Sequence, residues 1–358
     1  MKEIRLYTDI KLLRDSYIEL ESRINNSLIS VSYNWLEKWW QIFEDDNATG
    51  EHKELLIATV WNSGKISFIA PLMITSTKVA KVNIRVLQFA AQSWGATYCD
   101  VISDIDSNNI LEQIITRINS DFKYDMVWLN HIPSFTSNFD DKDLLPYQAC
   151  PEINLKAFDS YLGYKQTRYS KGLKQNIRTA YNRAKKNEDI LSYSVLQQSE
   201  DIYTRVIEIA KTKIRDNKVY KYSNPLKKKF RNDIMSLYPS NITTVEVNEK
   251  IVAYRTNLIC GNIKYCFEAS YDRDFPKYNL GVISVDASVE DSFEKQLNYH
   301  CEGPGLDSYK LKFSTHDVIL NYFIGKGNTL KSFVLYPILS FFIKRKSSKF
   351  KETYGMDK

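Results

Sequence analysis

The chain has 358 residues, with a hydrophobic fraction of 43% and an aromatic fraction of 13%, so it is too long for one ordinary core and too apolar to be disordered or collagen-like. Two domains, or one domain duplicated, are expected. The formal charge is +6; the five cysteines (Cys99, Cys150, Cys260, Cys266, Cys301) form no C-x-x-C pair and the four histidines no H-E-x-x-H spacing, so neither a disulfide framework nor a metal site is suggested.

The first residues, Met1-Lys2-Glu3-Ile4-Arg5, alternate charge with apolar side chains and lack the apolar core of a signal peptide. No run reaches the roughly 20 apolar residues that span a bilayer, which points to a reducing cytoplasm. The pattern predicts a helix over 33–43 (YNWLEKWWQIF) and strands over 55–61, 65–74 and 82–89, with Asn62-Ser63-Gly64 as a hairpin turn. Residues 133–151 are rich in Ser, Asn, Asp and Pro and read as the join between two halves. Beyond them come helices near 201–214 and 225–237, then strands over 242–247, 251–259 and 262–270. Helices followed by a three-stranded meander therefore occur twice, the pattern of a duplicated α/β unit, although identity between the halves is negligible. The expected boundaries are 1–150, 151–336 and a basic tail, 337–358.

The positive charge is concentrated. Residues 165–187 hold eight Lys/Arg and no acid, so the rest of the chain carries −2. Leu173, Ile177, Ala180 and Ala184 recur there at helical spacing beside a stripe of Lys171, Lys174, Arg178 and Lys185. Either this is an ordinary solvated face, or it binds a phosphate-rich ligand, in which case Lys171, Lys174 and Arg178 are the substrate-phosphate candidates. A second basic run, 211–231, strengthens the case for an anionic partner. Near the C-terminus, Ile338 to Ile343 precede Lys344-Arg345-Lys346: either a buried helix with a frayed basic end or a peripheral contact with an anionic membrane.

The most informative stretch is 251–313. Two strands lead into Tyr278-Asn279-Leu280-Gly281, then a helix from 281 to about 297, then a segment read as a strand carrying Tyr309-Lys310. A strand, a glycine turn and a helix N-terminus in that order make an anion site, because the first N–H groups are unpaired and the helix dipole favours negative charge. Tyr278, Asn279, Leu280 and Gly281 are the candidates for a pyrophosphate.

On these residues the chain resembles the GNAT-like acyltransferases grouped with the CelD/BcsL polysaccharide-biosynthesis proteins, themselves related to Fem-type peptidyl transferases. The matching features are Asn34-Trp35-Leu36 with Trp39-Trp40, Leu173 to Lys186, Ile251-Val252-Ala253, Tyr265 to Tyr271 with Asp272, Tyr278 to Gly281, Glu302-Gly303, Tyr309-Lys310 and Phe313. The resemblance implies an α/β fold of tandem GNAT-like units, each a mixed, mostly antiparallel sheet flanked by helices. It implies a first unit that is structural or serves the acceptor and a second that binds the donor, an acyl-CoA, where two parallel strands splay. The R/Q-x-x-G-x-G/A loop of such sites is absent: this loop has only Gly281, with Arg273, Pro276 and Lys277. An acyl carrier protein therefore stays open as an alternative donor.

Acyl transfer to an amine needs a proton acceptor and donors for the developing oxyanion. Glu268, a lone carboxylate in an apolar strand where burial would raise its pKa, is the candidate base, against an outward-facing surface residue. Lys310 is the candidate substrate-binding cation and Glu302 the candidate ligand of the acceptor amine. Tyr271 or Tyr278 is the candidate acid for the leaving thiolate. The expected acceptor is a small-molecule or lipid-linked amino sugar in surface-polysaccharide synthesis, and O-acylation stays open. A Fem-type transferase using aminoacyl-tRNA is the second reading. A non-enzymatic nucleic-acid module, with Tyr164, Tyr169, Tyr181, Tyr220 and Tyr222 among the cations, is disfavoured by the negative charge elsewhere and by the lack of a recognition motif.

Overall fold

A computed structural model describes residues 3–46, 52–79, 82–105, 109–216, 221–275 and 278–356. Tyr220, Pro276 and Lys277, named above, lie outside the described residues. The chain divides into two units, Met1–Ala149 with Val318–Lys358, and Cys150–Asp317.

The first unit begins with β1 (Glu3–Tyr7), α1 (Arg14–Arg23) and α2 (Tyr33–Phe43). Trp35, Leu36, Trp39, Ile42 and Phe43 recur at i, i+3, i+4 spacing along α2 and are buried together, which is why the segment is a helix with one face inside. The meander β2 (His52–Asn62), β3 (Lys65–Val79) and β4 (Val82–Phe89) follows, with β5 (Ile102–Ser103) added to β3. At the β2–β3 turn Ser63 and Gly64 both have positive φ, +49° and +80°, as a tight hairpin with right-twisted strands requires. Helix α3 (Ile110–Asp121) then carries the chain to β6 (Met126–Pro133), which lies parallel to β4.

Strand β7 (Leu144–Asn154) leads into the second unit, through α4 (Tyr161–Arg168), α5 (Lys171–Lys186), β8 (Leu191–Leu196), α6 (Glu200–Lys211) and α7 (Pro225–Leu237). Ser170 caps α5 by accepting from Leu173 N–H at 3.1 Å, and Asn224 caps α7 ahead of a proline in its first turn. The second meander is β9 (Ser240–Val247), β10 (Lys250–Cys260) and β11 (Ile263–Tyr271). Helix α8 (Leu280–Glu294) crosses to β12 (Tyr299–Cys301), parallel to β11, and α9 (Ser308–Leu311) ends the unit's helices. Finally β13 (His316–Lys326) and α10 (Ser332–Tyr354) belong largely to the first unit.

Each unit thus runs helices, three-stranded meander, crossover helix, parallel strand, as a tandem GNAT-like α/β fold requires. Strand orders are β1-β2-β3-β4-β6-β13 and β7-β12-β11-β10-β9-β8. The closing strands are exchanged. β13, from the end of the chain, pairs antiparallel with β6, and β7, from the middle, pairs antiparallel with β12.

That exchange corrects two expectations. Residues 133–151 are not only a join, because β7 occupies their second half; Pro146 and Pro151 argued against a strand there, yet Ala149, Cys150 and Ile153 are buried. Residues 318–336, expected in the second half, join the first unit, since β13 completes that unit's sheet. The separate tail from 337 is instead the body of α10, which starts at Ser332 and runs through Pro337.

Candidate active site

In the second unit β11 and β12 pair over only three residues each, Ile263–Tyr265 with Tyr299–Cys301. β11 then continues to Tyr271 while β12 ends, so the two parallel strands part. Phe267 has no counterpart on β10, a bulge that bends β11 at the parting. Beside it starts α8, with Asn279 in the left-handed region at φ +50° and no acid in the first turn. Between them lies a pocket of about 430 Å³ lined by strand residues Arg255, Ala269, Ser270 and Tyr271 and by the helix start, Asn279 to Val282 and Ser284. Lys213, Arg273, Phe275, Asp307 and Tyr309 complete the wall. Three cations against one carboxylate, facing a helix N-terminus, make the pocket electropositive.

Open space lies over the first turn of α8, where an added Cβ on Gly281 would meet nothing within 4 Å. The guanidinium of Arg273 lies 3.9 Å from the Tyr271 ring centroid, and its Nη1 donates to the Tyr271 carbonyl at 2.7 Å. Lys213 donates to the carbonyl of Ala269 at 3.0 Å.

The inner wall rests on a buried polar chain. Arg255 Nη1 donates to Glu302 at 2.9 Å and to Cys266 Sγ at 2.6 Å. The other Glu302 oxygen lies 3.0 Å from His300 Nε2, and His300 Nδ1 lies 2.8 Å from Ser292 Oγ. Burial works to raise the Glu302 pKa, but Arg255, then His300 and Lys310, overcome it and pull the carboxyl down to about 2. For His300 burial dominates and lowers the pKa, against the pull of Glu302. Although Ser292, His300 and Glu302 follow one another as in a hydrolytic triad, none of them is among the pocket's lining residues; Glu302 holds Arg255, and His300 and Ser292 hold Glu302 in turn. Gly303, at φ +75°, lets the chain pass over β11, since a Cβ there would sit 3.3 Å from the Cys266 carbonyl oxygen.

Of the residues singled out in the sequence, Tyr271, Asn279, Leu280 and Gly281 are brought together at the pocket. Tyr278 is not among its lining residues. Fully buried, it donates to Asp189 and accepts from Asn187 Nδ2 at 2.8 Å, pinning the end of α5 to the turn before α8. Glu302 touches Arg255 and His300 as described. Lys310 does not sit on a strand: Asp307 precedes a one-turn helix, α9, from which Lys310 Nζ donates to the carbonyls of Gly303 at 3.3 Å and Pro304 at 3.1 Å. Nor is Glu268 a lone carboxylate. Arg231, buried on α7, donates to it through Nε at 2.6 Å and reaches Thr256 Oγ1 at 3.1 Å. Lys171, Lys174 and Arg178 are exposed on α5 and are not among the pocket's lining residues. Helix α5 does meet the helix start, where Asn279 Nδ2 donates to the Asn176 carbonyl at 3.3 Å.

Sequence reasoning missed Arg255, Lys213, Ser270, Asp307 and the role of Tyr309. Arg255 carried a signal, a lone cation inside the apolar run Ile251 to Ile259. The others come from segments whose convergence only the fold reveals.

Residues 171–311 match the model of the acetyltransferase (GNAT) domain. Among solved structures, FemX has a TM-score of 0.59 at 9% identity, covering 95% of this chain and 100% of that one. L-PGS from Bacillus licheniformis has a TM-score of 0.52 at 14% identity, covering 95% and 97%. A conserved protein of unknown function from Bacteroides thetaiotaomicron VPI-5482 has a TM-score of 0.54 at 11% identity, covering 89% and 99%. At such identities the likeness shows the fold. A comparison with curated proteins finds no match. Residues 171–311 thus carry a GNAT acetyltransferase domain, which marks the chain as an acyltransferase.

Proposed function

We propose that the chain is an N-acyltransferase of the CelD/BcsL kind, moving an acyl group from an acyl-CoA-type thioester to an amino group on a nucleotide- or lipid-linked sugar in surface-polysaccharide synthesis. The observation that carries this reading is the electropositive pocket between the end of β11, beyond its parting from β12, and the start of α8. An extended thioester arm fits between parting strands, where strand N–H groups can hydrogen-bond it. Its diphosphate suits the helix N-terminus with Asn279 to Gly281, beside Arg273. In the reaction the amine nitrogen attacks the thioester carbonyl, forming the C–N bond as the C–S bond breaks. Its proton passes to the carboxylate in the wall, Asp307, and a phenol, Tyr271 or Tyr309, protonates the departing thiolate. Burial raises the Tyr309 pKa, which keeps that phenol protonated at neutral pH. The first unit serves the architecture or the acceptor in this reading.

A second reading is favoured by the exposed cationic face of α5 outside the pocket, with Lys171, Lys174 and Arg178. A donor larger than coenzyme A, an aminoacyl-tRNA or an acyl carrier protein, would lay its phosphates or acidic surface there while its acyl end entered the pocket.

Titrating acetyl-CoA, a longer acyl-CoA and free CoA by calorimetry and thermal shift tests both readings, because a ligand of the native state alone raises Tm. Saturable binding is expected, and Gly281→Trp, which fills open space, should abolish it while Tm without ligand holds. Absence of binding by every thioester, with salt-sensitive binding of aminoacyl-tRNA or acyl carrier protein, would replace the first reading with the second.

A further inference from the structure

We infer that the inner wall of this pocket is a subsite for an anionic oxygen, built on Arg255, so that one of the two substrates carries a carboxylate or phosphate close to the reacting centre. The inference rests on the pocket being the transfer site proposed above, and it concerns a group distinct from the diphosphate at the helix start. Arg255 is 1% exposed and lines the pocket, yet only part of its fork is engaged. Its Nη1 is held by Glu302 and Cys266, whereas its Nε has no hydrogen-bond partner. Ser270, also a lining residue and nearly buried, has an Oγ without a partner. A buried donor of a charged group left unpaired is costly, and proteins rarely leave one so unless a ligand or water completes it.

The supporting chain points the same way. Ser292, His300 and Glu302 lie away from the solvent and hold the guanidinium against a pocket wall, where an apolar residue would have packed with less desolvation. Charge agrees as well. The pocket wall carries Arg255, Lys213 and Arg273 against the single carboxylate of Asp307, which also pairs with Lys310 at 3.4 Å. A planar fork with Nη1 held and Nε left without a partner suits a carboxylate or a phosphoryl oxygen better than a neutral acyl chain.

The anion has two sources, the acyl group or the acceptor, and ligand pairs differing by one carboxylate separate them. Succinyl-CoA against butyryl-CoA reports the acyl source; UDP-glucuronate against UDP-glucose reports the acceptor source. In one pair the carboxylate ligand should bind at least about tenfold tighter, the effect expected of a charge-assisted hydrogen bond, and Arg255→Lys should collapse the difference. The wild-type comparison stands alone if that variant does not fold. Equal binding within both pairs, or a difference that survives in folded Arg255→Lys, would overturn the subsite. If no thioester or nucleotide sugar binds, the proposed function fails separately, and inorganic phosphate becomes the probe. A rise in Tm with phosphate in the wild type that Arg255→Lys removes would keep the subsite; no rise, or one independent of Arg255, would end it.

Discussion

Glu302 shows how a residue chosen for the right reason can act through another. In the sequence it was a carboxylate beside Gly303-Pro304-Gly305, suited to holding an amine; in the fold it is buried and bound to Arg255 and His300. Its pKa, ordinarily near 4.5, is pulled to about 2, so the folded state prefers the carboxylate ion. That preference is worth roughly 3 kcal/mol at neutral pH, fully present above the ordinary value and lost as the pH falls from there toward 2. His300, whose pKa is lowered by burial, acts in the same direction at higher pH: the unfolded chain takes up its proton first, so stability declines as the pH drops below about 6.5. Melting temperature measured from pH 7 to pH 4 should therefore fall throughout. Glu302→Gln should start lower, with a flatter profile below pH 4.5; a parallel profile would show that the ion pair does not govern acid stability. Glu268 was read from the same logic and found with Arg231, a cation 37 positions away that no local pattern announces.

Elements with strong local signals were legible. Helices 33–43 and 225–237 and strand 82–89 have the bounds their sequence patterns gave, and 171–186 is α5 with Leu173, Ala180 and Ala184 inside. Short elements were not. Tyr309 and Lys310 lie on the single turn α9, where alternation over seven residues cannot tell a strand from a turn of helix, and β7 was hidden by its prolines. Tyr278 belongs at this scale, because its hydroxyl ties two elements: Asn187 ends α5, Asp189 follows it, and Tyr278 precedes α8. Tyr278→Phe removes both hydrogen bonds and keeps the ring in the core, so it should cost about 1–2 kcal/mol, read as a lower Tm. Donor affinity should change far less than in Gly281→Trp. If affinity collapses while Tm holds, the phenol is a ligand-binding group after all.

Across the whole chain, duplication was legible from the repeated order of elements, and the exchange of closing strands was not, because pairing partners distant in sequence leave no periodic trace. The exchange brings α10 with β13 into the first unit, and α10 poses the remaining question of partners. Ser340, Ile343 and Ser347 face inward, whereas Phe333, Val334, Ile338, Phe341 and Phe342 are each half or more exposed. Lys344, Arg345 and Lys349 continue the outer surface beyond these apolar turns. Among the described residues no helix is long and apolar enough to cross a membrane. An apolar face followed by cations suits a helix lying in an anionic lipid surface, which would place the enzyme beside a lipid-linked acceptor. A second copy fits less well. Two such helices packed antiparallel about a two-fold axis would set the cations of each against the apolar turns of the other. We therefore predict co-sedimentation with phosphatidylcholine vesicles containing phosphatidylglycerol, weaker with phosphatidylcholine alone and weakened by salt. The triple substitution Phe333→Ser, Phe341→Ser, Phe342→Ser should abolish it without lowering Tm, since these side chains already face water. No sedimentation, together with a dimer that the same substitutions dissolve, would give the face to a second copy of the chain.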